Sequence, residues 1–260
     1  MSTIQEATRR RYGQWARARA GTLDGGAPVD EGCCGAPDDG DGGCGSGYPA
    51  AELGALGLTS AASLGCGNPT LLADLRPGEV VLDLGSGGGL DVLLSARRVS
   101  PGGHAYGLDA TPEMVALAQG HQARAGVANA TFLLGTMEAI PLADASVDVI
   151  ISNCVVNLAE DKAAVLHEAH RVLRPGGRLA ISDLVELEPL APALKRDLDA
   201  WAGCVAGTIP VQAYTDLLAA AGFADPQVEV HRAIGLPAGG GRIGSASIRA
   251  RKPGGPGPGR

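Results

Sequence analysis

The residues of this sequence best suited to chemistry are six cysteines, Cys33, Cys34, Cys44, Cys66, Cys154 and Cys204, and two acids that end apolar runs, Asp83 and Asp109. Thiolates are soft ligands and nucleophiles, so such a set suits a thiophilic metal or metalloid, or thiol–disulfide exchange. No C-x-x-C pair is present, which argues against structural zinc. Read singly, several of these cysteines have a plain structural explanation. Cys204 beside Val205 is suited to a small core position, and Cys66 to a tight turn.

Asp83-Leu84-Gly85-Ser86-Gly87-Gly88-Gly89 follows an apolar run and opens a helical pattern. Glycines are needed at such a place because the backbone must turn sharply and approach a ligand closely. Three features favour a methyl donor over a dinucleotide. The spacing is G-x-G-x-G rather than G-x-G-x-x-G, Asp83 ends the strand itself, and Asp109 ends the next one. A carboxylate at Asp109, followed by Ala110, can accept from both hydroxyls of a ribose.

The elements that must position these groups alternate between two periods. Strands are predicted over 80–84, 105–108, 131–134, 147–152 and 178–183, and helices over 91–98, from Thr111-Pro112-Glu113 onward, and over 161–173. Thr111 is expected to cap its helix with Pro112 in the first turn, and Pro175-Gly176-Gly177 to stop the helix before it. Strand alternating with helix implies a parallel sheet covered on both faces. Two further helices are expected over 193–204 and 211–221, and two late strands near 228–231 and 245–251. The sequence is therefore read as an α/β, Rossmann-like chain in three parts. Residues 1–64 are an N-terminal helix over 4–20 followed by a Gly-, Asp- and Cys-rich extension, 65–252 the main domain with a helical insertion at 190–222, and 253–260 a disordered tail.

Composition narrows the function further. The chain has 260 residues and is 45% hydrophobic but only 3% aromatic, so aliphatic side chains must fill its core. A net charge of −7 argues against a nucleic-acid partner, which needs a concentrated basic face. The basic cluster Arg9-Arg10-Arg11 is read as a solvated helix face. No apolar run is long enough to span a membrane, and the first twenty residues contain no signal-peptide core. A cytoplasmic monomer with reduced thiols is expected.

Asp83–Gly89, Leu108-Asp109, Ile140-Pro141-Leu142, Asp148 and Arg171-Val172-Leu173-Arg174-Pro175-Gly176-Gly177 resemble the class I methyltransferase pattern over roughly residues 65–185. That resemblance implies a seven-stranded sheet with the last strand antiparallel and S-adenosylmethionine as cofactor. It implies cofactor contacts at Asp83, Gly85, Ser86, Gly87, Asp109, Ala110 and Asn153, with Met137 and Glu138 beside the adenine. The segments Ser63-Leu64-Gly65-Cys66-Gly67-Asn68-Pro69, Ile151-Ser152-Asn153-Cys154-Val155-Val156-Asn157-Leu158 and Trp201-Ala202-Gly203-Cys204, with Cys33-Cys34-Gly35, resemble the arsenite methyltransferases. This second resemblance implies that Cys154 and Cys204 bind trivalent arsenic, and that Cys66 and one of Cys33 and Cys34 complete a thiol relay, with Cys44 an extra ligand or a spectator.

The chemistry is coherent. Thiolate-bound trivalent arsenic keeps a lone pair, so its methylation requires no general base, and each transfer leaves arsenic formally pentavalent. Two thiols closing to a disulfide return the two electrons, which implies an external thiol reductant for turnover. Two rivals are a same-fold enzyme acting on a quinone, lipid or other small organic acceptor, and a thiol-based metal-binding or redox-sensing protein without transfer.

Overall fold

A computed structural model describes residues 2–19, 47–59, 63–65, 67–236 and 240–255 of the chain. In chain order its elements are α1 Thr3–Arg19, α2 Ala50–Leu56, α3 Pro69–Leu72, β1 Val80–Leu84, α4 Leu90–Arg98, β2 His104–Asp109, α5 Pro112–Ala125, β3 Ala130–Leu134, β4 Val147–Asn153, α6 Lys162–Val172, β5 Leu173–Glu188, α7 Leu198–Ala202, α8 Val211–Ala220, β6 Ala224–Gly235 and β7 Arg242–Arg251. The strands form one seven-stranded sheet in the order β3-β2-β1-β4-β5-β7-β6. β1 to β5 pair in parallel, and β7 runs antiparallel to both of its neighbours. This is the Rossmann-like class I methyltransferase sheet that the sequence implied.

Successive side chains of a strand point to opposite faces, and the central strands, covered on both, are apolar at almost every position. Leu82, Leu84, Ile150 and Ile181 pack on one face with Val165 and Leu166 of α6 and Leu218 of α8. Val81, Val149, Ile151 and Ala180 pack on the other with Leu93 and Leu94 of α4. β6, at the edge, is largely exposed. A smaller cluster of Ala16, Met114 and Leu117, with Tyr12 and Trp15 against it, seats α1 on α5.

Three local expectations change. Thr111 is the N-cap of α5, but its side chain makes no capping bond. Its hydroxyl and backbone N–H serve Asp109 instead, with the N–H 2.8 Å from Oδ1. The helix expected over 193–204 is broken into a 3₁₀ turn at Leu194–Arg196 and the short α7, because the Asp197 carboxylate accepts from the N–H groups of Asp199 and Ala200 and starts a new helix. β5 is far longer than the predicted 178–183, since β7 pairs with it from Arg178 to Glu188. At the chain end Pro253 accepts from the Gly176 N–H, while 256–260 lie outside the described residues.

Candidate functional site

Between β1 and β4 the strand order reverses: chain continuation runs outward from β1 through β2 and β3, and in the other direction from β4. Ligands of open α/β sheets bind in the crevice beyond the carboxyl ends of the strands at such a point. The two loops leaving it are the glycine loop after β1 and the cysteine loop after β4. They share the wall of a cavity of about 1130 Å³, counting the part open to solvent.

The glycine loop is shaped by close approach. Gly85 has φ 71°, and a Cβ there would meet Val155 Cγ1 at 2.2 Å, so only glycine lets the two loops come together. Gly87 has φ 50°, and a Cβ there would meet nothing within 4 Å, because that side faces the open cavity. Its N–H donates to Asp109 Oδ2 at 2.9 Å, which ties the loop to the end of β2. Burial raises the Asp109 pKa, opposed by these hydrogen bonds and by the charge of Arg9. Asp83, buried in β1, is pushed well above the usual carboxylate range by burial and then by the nearby charges of Asp91 and Asp109.

Asp91, in the first turn of α4, is pushed up to about 6 by burial, against the favourable hydrogen bonds of Tyr48 and Asn153. The Tyr48 hydroxyl lies 2.8 and 3.0 Å from the two Asp91 oxygens, and Asn153 Nδ2 donates to that hydroxyl at 2.9 Å. Asn153 also donates to the Gly67 carbonyl at 2.8 Å and accepts from the Gly67 N–H. One side chain at the end of β4 therefore braces the backbone of Gly67 against the carboxylate cluster. Ala110, Met137 and Glu138 line the same cavity. Arg171 anchors the neighbouring 140–142 segment through the carbonyls of Ile140 and Leu142, each at 2.9 Å.

Cys154 follows β4 directly and lines the cavity, 2% exposed. Cys204 follows α7 and is fully buried behind it, its Sγ donating to the Cys154 carbonyl at 2.7 Å. Both adopt the left-handed conformation, φ 60° and φ 63°. For a residue with a Cβ this costs roughly 1–2 kcal/mol, and such strain persists where surrounding packing over-determines it. Leu184, Leu190 and Ile243 supply that packing. Behind it Asp183, inaccessible to solvent, accepts from Asn157 Nδ2 and the Leu184 N–H at 2.8 Å each, and from the Asn157 N–H at 3.2 Å. Burial, then the Cys204 charge, push Asp183 up to about 8. Lys162 donates to the Ala159 carbonyl at 2.8 Å, and burial lowers its pKa. These groups fasten the turn after Cys154 to β5.

Of the candidate ligands, the structure brings together Cys154 and Cys204. Cys33, Cys34, Cys44 and Cys66 lie outside the described residues, though Leu64 and Gly65, just before Cys66, line the cavity. Among the described residues no three His, Cys, Asp or Glu side chains gather as a metal site. Sequence reading missed Asp91, Tyr48, Lys162 and Asp183, which carry no motif of their own. It also missed that α1 forms a wall of the cavity through Gln5, Thr8, Arg9 and Tyr12. Arg9 is thus not part of a purely solvated face, unlike the exposed Arg10 and Arg11. No helix among the described residues is long and apolar enough to cross a membrane.

A family model described as a methyltransferase domain matches residues 75–222. The arsenite methyltransferase of Halobacterium salinarum is 45% identical over 75% of this chain and 50% of its own length. That of Aquipseudomonas alcaligenes is 39% identical over 68% of this chain and 53% of its own. This chain therefore spans about half the length of these curated relatives. The crystal structure of an arsenic(III) S-adenosylmethionine methyltransferase from Chlamydomonas reinhardtii superposes with a TM-score of 0.67 at 33% identity, covering 81% of this chain and 76% of that one. Sheet order, glycine loop, cysteine loops and these similarities agree, and the chain belongs to the arsenite methyltransferase family within the class I methyltransferases.

Proposed function

We propose that the chain transfers the methyl group of S-adenosylmethionine to trivalent arsenic held by Cys154 and Cys204. The observation that carries this reading is the adjacency of two buried, left-handed cysteines, of which Cys154 lines the cavity shared with the glycine loop. When bound, S-adenosylmethionine supplies an electrophilic methyl group on a sulfonium. The cavity residues suit it. Ser86 Oγ is sealed from solvent without a hydrogen-bond partner, Gly87 leaves space where a side chain would intrude, and Asp83 and Asp91 are carboxyl groups whose ionised form, disfavoured by burial, a ligand with cationic groups would stabilise. Gly85 would pass beside the methionine part, Asp109 would take the ribose, and Ala110, Met137, Glu138 and Asn153 would complete the pocket.

The chain's part is ligation, orientation and exclusion of water. Cys154 and Cys204 bind arsenic once the Cys204 thiol leaves the Cys154 carbonyl, and the apolar shell of Leu184, Leu190 and Ile243 keeps water away. Holding donor and acceptor in near-attack geometry then supplies most of the rate, because the arsenic lone pair carries no proton. Cys66, together with one of Cys33 and Cys34 from an arsenic-binding extension at 1–64, would act as relay and two-electron donor within the 65–252 unit with its 190–222 insertion. An external thiol reductant would reopen the disulfide, and the reducing cytoplasm is the compartment that keeps such thiols competent. A monomer meets these needs, since every group named comes from one chain.

The test is incubation with arsenite, S-adenosylmethionine and a thiol reductant, with the arsenic species resolved by chromatography. Methylated arsenic that disappears with Cys154→Ser is expected. No methylated arsenic from protein that binds the cofactor would overturn arsenic as the acceptor and turn the search to an organic one.

A further inference from the structure

The family match begins at residue 75, yet α1, which ends at Arg19, closes one side of the cavity. It is fixed there along its length. Ser2 Oγ donates to Glu160, the Tyr12 hydroxyl to the Ala202 carbonyl at 3.3 Å, and Arg17 pairs with Glu113 of α5. The face it turns inward holds Thr8, whose Oγ1 is sealed from solvent with no hydrogen-bond partner, and Arg9. The charge balance of the cavity gives this face a meaning. Its described lining contains four carboxylates, Asp83, Asp91, Asp109 and Glu138, and a single cationic side chain, Arg9.

S-adenosylmethionine has the complementary pattern, two cationic centres and one carboxylate. We infer that α1 is a further part of the cofactor site, in which Arg9, assisted by the Thr8 hydroxyl, recognises the carboxylate of the methionine moiety. A guanidinium offers a carboxylate two parallel donors, and the interaction is strong in a partly enclosed site. Tyr12 then links the same helix to α7, two residues before Cys204. This inference rests on the methyl-donor reading above, but not on arsenic as the acceptor.

The test is calorimetric binding of two ligands to the full chain: S-adenosylhomocysteine, which keeps the amino-acid carboxylate, and 5′-methylthioadenosine, which lacks it. Arg9→Met is expected to weaken S-adenosylhomocysteine binding by roughly tenfold or more and 5′-methylthioadenosine far less, through the lost charge near the ribose acid Asp109. Arg9→Lys should recover part of the loss, and Thr8→Val should show a smaller loss with the same selectivity. Equal weakening of both ligands, or of neither, by Arg9→Met in protein of unchanged melting temperature would overturn the inference while leaving the methyl-donor reading intact. Binding of neither ligand by the unsubstituted protein would overturn both.

Discussion

The two loops that meet at the switch point solve the same backbone problem with different residues. After β1 the left-handed turns fall on Gly85 and Gly87, where they cost nothing sterically. After β4 and α7 they fall on Cys154 and Cys204, where each carries strain held in place by an apolar cluster and a buried polar brace. The first loop is built to be filled by something from outside, and its carboxylates look into an open cavity. The second is built to hold two side chains in one place. The contrast teaches that the glycine loop selects for absence of side chains, whereas the cysteine turns tolerate strain, as the proposed ligand role of their side chains requires.

The strongest way to separate the two ends is to remove a thiol. Cys154→Ser or Cys204→Ser is expected to lower methylation by roughly a thousandfold or more, since placement of the acceptor supplies most of the rate. S-adenosylhomocysteine binding should stay nearly unchanged, and a variant with full turnover would sink the ligand role of that cysteine. Asp109→Ala should do the converse. It should weaken S-adenosylhomocysteine by about ten- to a hundredfold, the worth of a charged hydrogen bond, while arsenite binding, followed by the fluorescence of Trp201 in α7, is unaffected. An unchanged dissociation constant would count against the ribose role.

A pH dependence belongs to the cofactor end. Asp91 has a raised pKa of about 6, so the folded protein without ligand holds its proton more tightly than the unfolded chain does. Its contribution to stability is therefore present at low pH and is lost as pH rises from the ordinary carboxylate range through about 6. A ligand with cationic groups prefers the ionised form, so S-adenosylhomocysteine should bind more tightly as pH rises toward neutrality, with proton release measurable by calorimetry in buffers of different ionisation heat. Asp91→Asn should flatten the profile, and a steep profile in that variant would move the effect to Asp83. The smallest effect is Gly87→Ala, which meets no atom yet must adopt φ 50°. It should lower stability by about 1–2 kcal/mol, read as a lower melting temperature, and an unchanged melting temperature would show that the loop relaxes.

The sequence by itself determined the architecture and half of the site. Alternating apolar strands and amphipathic helices leave little choice but a covered parallel sheet, and the glycine spacing with Asp83 and Asp109 marks where its ligand binds, because these signals are local along the chain. It could not show that the helix before Cys204 breaks at Asp197, since that depends on a capping carboxylate competing with helix continuation. Nor could it pair Tyr48 with Asp91, Asn157 with Asp183, or α1 with a cavity whose other walls begin more than forty residues later. Those partners are distant in sequence and carry no periodic signal. Only the packing of α1, β4 and β5 around the switch point decides that buried carboxylates, Arg9 and Cys154 line one cavity with Cys204 packed against Cys154, because burial and proximity exist only once the chain has folded.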